Sequence, residues 1–94
     1  MDIKELRNEI DPIDDQLVKL FCQRMDAAAK VADYKRENDL PIFVPARERE
    51  ILASVAEKAG QDMGNYTRVL YSMLFELSRS YQSKRNMVTS PLHQ

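Results

Sequence analysis

Ninety-four residues make one domain, and a hydrophobic content of 44% supplies a core that so short a chain buries only in part by itself. A net charge of −1, with both signs interspersed, excludes the basic surface of a nucleic-acid binder. Two glycines and one cysteine argue against a turn-rich sheet protein, a phosphate-cradling loop, an intrachain disulfide and a cysteine-based metal cluster. The lone thiol makes a reducing cytoplasm the default setting. MDIKELRNE lacks the apolar run of a signal peptide, and no apolar run approaches the roughly 20 residues of a membrane span.

Residues 3–37 read as one long helix. Ile3, Leu6, Ile10, Ile13, Leu17 and Leu20 recur in alternating steps of three and four, which marks a single apolar seam. A helix of this length extends roughly 50 Å at 1.5 Å per residue. A compact globule of this chain length is only about 32 Å across. The helix therefore leaves its own globule, and the natural partner for its seam is a second copy of itself. Pro12 admits two readings: a start at Asp11, with Pro12 at the first helical position, or one helix kinked at Pro12. The seam keeps phase across the proline and favours the kinked helix. Asn38-Asp39 then ends it, and Leu40-Pro41 marks the exit.

NDLPIFV is a short apolar connector, and Pro45 opens a second helix over 45–59 at its favoured first position. Ile51, Leu52, Val55 and Ala59 form its buried stripe, and Gly60 stops it. A third helix, capped by Asp62 or Asn65, spans about 62–86. Its predicted stripe is Tyr66, Val69, Leu70, Met73, Leu74, Leu77 and Tyr81. The domain is thus 1–86, all-α, and residues 87–94 are a frayed tail or the start of a linker. His93 in that tail reads as solvent-exposed. Cys22 reads as a small packing residue, and Met25, Met63, Met73 and Met87 as gap-filling or surface residues.

Polar side chains stand where these faces should be apolar. Arg24 and Lys35, eleven residues apart, share the face that the seam occupied. The plain reading is a seam fraying into solvent. Ser78 and Gln82 follow Leu74 on the third helix, which is either exposure near an end or the lining of a polar pocket. Glu48 lies one turn before Ile51 and Leu52, facing inward or serving the helix N-terminus. Arg47 is beside it, and Arg7, one turn after Ile3, read alone is an exposed charge. Taken together, the cations over-compensate one carboxylate, and a small dianionic ligand restores the balance. Arginine suits that ligand because its planar fork binds a carboxylate through two hydrogen bonds. The residues themselves carry the reading as far as a pocket for a small di-acid between helices of a dimer.

LRNEIDPIDDQLVKLFCQR resembles the opening of the all-helical class of chorismate mutases. The resemblance continues through Lys35, the ARERE run at 46–50, and Ser78 and Gln82, covering about residues 3–85. It extends to the N-terminal mutase domain of bifunctional chorismate mutase–prephenate dehydratases, on which the terminal TSPLHQ reads as the start of a linker to such a domain. The resemblance implies an intertwined three-helix homodimer that rearranges chorismate to prephenate without metal or cofactor, in aromatic amino-acid biosynthesis. It implies that Arg24 and the partner's Arg7 hold the substrate carboxylates. Lys35 is implied to contact a carboxylate and the ether oxygen, with Gln82 donating to the same oxygen. Glu48 is implied to accept from the ring hydroxyl, with Ser78 at the ring carboxylate and Arg47 completing the wall. Val44 stands where some members carry aspartate, and the implied contact runs through its backbone N–H. An isochorismate–pyruvate lyase on the same scaffold and a non-catalytic regulatory dimerisation module are the alternatives.

Overall fold

The computed structural model describes residues 1–89. The expectations for His93 and for the segment from residue 90 onward lie outside the described residues, as does the side chain of Met87. Among the described residues the elements are three α-helices: α1 (Ile3–Glu37), α2 (Pro45–Ala59) and α3 (Gly64–Thr89). No described helix is long and apolar enough to cross a membrane.

The bounds of α1 and α2 coincide with the sequence signals. Asp2 caps α1 by accepting from the Glu5 N–H at 2.9 Å, and the helix runs without a break through Pro12. Its end is built from 6→1 and 5→2 bonds: Leu40 N–H donates to the Lys35 carbonyl (2.8 Å) and Asp39 N–H to that of Arg36 (3.4 Å). Asp39 takes the left-handed conformation this motif requires, at φ 54°. Gly60 ends α2 at φ 88°, ψ 173°. The third helix differs from its predicted span of 62–86. Residues 61–63 form a turn, so α3 starts at Gly64 and continues to Thr89. Gly64 is buried at the start of α3, where an added Cβ would stand 3.2 Å from the Ala56 carbonyl oxygen. That glycine lets the first turn of α3 lie close against α2.

The chain is extended, measuring 57 × 31 × 15 Å with a radius of gyration of 17.1 Å. A compact chain of this length would have about 12 Å. The first half of α1 projects away, and its seam from Ile3 to Leu20 is between 41% and 61% exposed. The second half packs on α3, and α3 packs on α2. Small side chains make the first contact possible. Ala29 and Ala32 on α1 are buried, as is Phe75 on α3.

The inward face of α3 corrects the predicted stripe. Tyr66, Val69, Leu70, Met73, Leu77 and Tyr81 are exposed, and of that stripe only Leu74 turns inward. The packed face is Gly64, Thr67, Tyr71, Leu74, Phe75, Ser78 and Gln82. The helix is apolar on two sides, and the more apolar one is left open in the single chain. Cys22, expected to pack, is likewise exposed.

Candidate active site

Where α1, the connector and the start of α2 approach the second half of α3, they form an open-sided cavity of about 380 Å3. α1 contributes Arg24 and Lys35, the connector Val44, α2 Arg47 and Glu48, and α3 Ser78 and Gln82. Seven of the eight residues singled out in the sequence thus meet in one place. Arg7 does not: it precedes Arg24 by seventeen residues on α1, about 25 Å along the helix at 1.5 Å per residue.

The two cations of α1 are held but not neutralised. The guanidinium of Arg24 lies over the rings of Tyr71 (5.3 Å) and Phe75 (5.6 Å), which stabilise it by cation–π attraction while leaving its N–H groups free for an anion. Lys35 Nζ donates to the Ile42 carbonyl at 3.3 Å, which fixes the ammonium at the cavity wall. Among the described residues neither forms an ion pair with a carboxylate. Both are half-buried, so the reading of a seam fraying into solvent gives way to a pocket wall.

Glu48 faces the cavity rather than capping α2, and α2 has no side-chain cap. Its Oε2 accepts from Arg79 Nη1 at 2.6 Å, and Arg79 lies over the Phe43 ring at 5.1 Å. Arg79 and Phe75 escaped the sequence reading, because the wrong face of α3 was taken as buried. Phe75, Ser78, Arg79 and Gln82 recur at steps of three, one and three, a helical phase that marks their common face once Phe75 is taken as its anchor. Arg47 stands at the rim, with a loose 3.9 Å contact to Glu50. The lining carries four cations against one carboxylate.

The remaining groups are donors. Ser78 Oγ donates only to the Met25 thioether, a weak acceptor, at 3.5 Å. Val44 accepts from the Arg47 and Glu48 N–H groups, and among the described residues its own N–H has no partner. Gln82 is buried, at 7% exposure, and among the described residues its Nε2 has no hydrogen-bond partner. Its Oε1 accepts from Arg85 Nη1 at 2.9 Å. Arg85 also forks onto Asp33 of α1, with Nη1 3.3 Å from Oδ1 and Nη2 3.1 Å from Oδ2. Arg36 shares Asp33. The Arg85 hydrogen bond, ahead of the opposing effect of burial, holds the Asp33 carboxyl below its ordinary range, and the same bond raises Arg85. A buried amide N–H without a partner is a costly feature that a ligand atom can satisfy. The cavity is therefore a cationic site with neutral donors, shaped for an anion carrying a further acceptor.

Comparison with known proteins finds relatives of the chain. The bifunctional chorismate mutase/prephenate dehydratase of Aquifex aeolicus is 43% identical over 54 residues, which cover 57% of this chain and 15% of that protein. The T-protein of Haemophilus influenzae is 41% identical over 61 residues, covering 62% and 16%. The chorismate mutase of Methanocaldococcus jannaschii is 39% identical over 49 residues, covering 52% and 50%. The chain thus spans about a sixth of the first two relatives and half of the third. No solved structure matches it significantly. The type II chorismate mutase family matches residues 6–83, and the chain belongs to that family.

Proposed function

We propose that this member of the type II chorismate mutase family converts chorismate to prephenate, for aromatic amino-acid biosynthesis, as an intertwined homodimer with two shared sites. The observation that carries the reading is the convergence of two carboxylate-free cations, Arg24 and Lys35, with the unpartnered Nε2 of Gln82 in one cavity. Chorismate is a dianion with an ether oxygen, and the rearrangement moves electrons around a six-membered ring. One carbon–oxygen bond breaks as one carbon–carbon bond forms, with no acid, base or nucleophile strictly required. The tasks left to the protein are to hold the flexible substrate in its reactive chair and to stabilise charge growing on the ether oxygen.

Each lining group has a place in that scheme. Arg24 binds one carboxylate through its fork, already oriented by two rings. Lys35 and Gln82 Nε2 meet the ether oxygen, where negative charge develops. Glu48, oriented by Arg79, accepts from the ring hydroxyl. Ser78 exchanges its thioether for the ring carboxylate, Val44 offers its N–H, and Arg47 closes the rim. The second carboxylate falls to Arg7 of a second copy. Two features support that copy: the open apolar seam of α1 and the open apolar face of α3. A single chain with three buried apolar residues among those described has little core of its own. A fusion to a dehydratase domain in a longer chain, as the Aquifex relative's name describes, and a cytoplasmic setting go with this reading.

The test is to supply chorismate and follow loss of its absorbance while identifying the product. Prephenate is expected. Release of pyruvate from isochorismate in its place, or no turnover of either, overturns the assignment.

A further inference from the structure

We propose that Arg85 is a positioning residue for this reaction, which fixes the amide of Gln82 so that Nε2, not the carbonyl oxygen, faces the cavity. The inference rests on the proposed mutase reading and adds to it a residue outside the cavity lining. A primary amide can turn over by half a revolution with little change of shape, and the two orientations offer opposite chemistry. With Nε2 inward the side chain donates to an oxygen gaining negative charge. With Oε1 inward it presents lone pairs to that oxygen and repels it.

The choice is made behind the amide. A guanidinium has donors and no acceptor. Arg85 Nη1, 2.9 Å from Gln82 Oε1, therefore accepts only one orientation: the flipped amide would set donor against donor. Gln82 is 7% exposed, so water does not compensate a wrong orientation. Arg85 is itself braced. Asp33 receives it through both carboxylate oxygens at 3.3 and 3.1 Å, and the Tyr81 ring lies 5.8 Å from its Cζ. Asp33 is two residues before Lys35 on α1, so the brace ties the Gln82 donor to the helix that carries the other ether-oxygen contact. A cation on the carbonyl oxygen also draws electron density from the amide and makes its N–H a stronger donor.

The arrangement is tested first by Arg85→Met. Its kcat should fall by about tenfold to a hundredfold, since a misdirected donor approaches the loss of one. KM should stay within about twofold, because the carboxylate contacts are untouched. Arg85→Lys, which keeps a cationic donor, should recover part of the rate. A helix tie without a positioning role is separated by a pH profile. In Gln82→Glu the side chain donates only when protonated, and Arg85 beside it favours the ionised form, so activity is confined to acid. Adding Arg85→Met should move that activity limb upward by about one pH unit or more. If Arg85→Met does not fold, Arg85→Gln removes the charge and keeps a donor, so it should spare more of the wild-type kcat while still moving the Gln82→Glu limb upward. An unmoved limb, or unchanged kcat in folded Arg85→Met while the wild type turns over chorismate, overturns the positioning role. A wild type that leaves chorismate untouched overturns the mutase reading instead.

Discussion

In the proposed reaction Arg24 and Lys35 have different tasks in the cavity, and substitution separates them. There Arg24 binds a carboxylate that is present throughout, so its removal should weaken ground state and transition state together. Lys35, on the same proposal, meets charge that exists fully only at the transition state. Lys35→Ala should therefore lower kcat by about a hundredfold to a thousandfold with a smaller change in KM. Arg24→Ala should raise KM as well, and steady-state kinetics on chorismate distinguish the two patterns. Unchanged turnover in Lys35→Ala would remove it from the ether oxygen. Asp33 carries a different consequence. Its carboxyl is held below the ordinary range mainly by the Arg85 hydrogen bond, so the unfolded chain takes up a proton at higher pH than the folded one. Its contribution is complete above the ordinary aspartate range and is lost as pH falls through that range and then through the lowered folded value. Urea midpoints measured across that window should fall toward acid less steeply in Asp33→Asn, by a small amount that salt reduces further, because the pair is about one-third exposed to solvent. At this scale Arg24, Lys35, Glu48 and Gln82 were legible because each breaks an apolar phase. Arg79 and Arg85 were not, since charges at the edge of a helix face look like solvated surface until their partners on other elements, Glu48 and Asp33, are in place.

The ends of the helices are decided by a few backbone positions, and Gly60 is the most constrained of them. At φ 88°, ψ 173° it occupies a region open in practice to glycine alone. No atom stands within 4 Å of where its Cβ would be, so the demand is conformational and not one of space. Gly60→Ala should destabilise the fold by about 1–3 kcal/mol, read as a lower urea midpoint at matched protein concentration. Gly60→Asn should do no better, because asparagine tolerates the left-handed helical region and not this one. A midpoint equal to wild type would show that the turn into α3 relaxes freely. Such local signals explain why α1 and α2 were legible to their ends, through Pro45, Gly60 and the Asn38–Pro41 exit. They explain as well why α3 was not. Asp62 resembles a cap but lies in a turn, Asn86 resembles a stop but is passed, and two apolar faces compete for the role of core face. Periodicity selects the more hydrophobic face of α3. The chain's own packing takes the face with Gly64, Ser78 and Gln82, because those residues build the close approach to α2 and the cavity.

For the whole molecule, the proposed second copy covers both the exposed half of α1 and the open face of α3. In that proposed dimer Arg7 of one chain stands at the cavity of the other. Mixing chains tests it. In the proposed dimer each site takes Arg24 from one chain and Arg7 from the other, so Arg7→Ala and Arg24→Ala homodimers each have two damaged sites. When the two variants are unfolded together and refolded, a mixed dimer gathers both lesions into one site and leaves the other intact. Random pairing makes half of the dimers mixed, each with one working site of two, so the mixture should recover about a quarter of wild-type activity. If Arg7 acts within its own chain, every mixed dimer keeps one lesion in each site and nothing is recovered. If Arg7 is only surface charge, Arg7→Ala is active before any mixing. Measuring size in solution before and after refolding separates a failure to pair from a failure to complement. Recovery in a dimeric sample would establish that the length of α1 serves catalysis, because only a helix that outruns its own globule carries Arg7 to a neighbour's site.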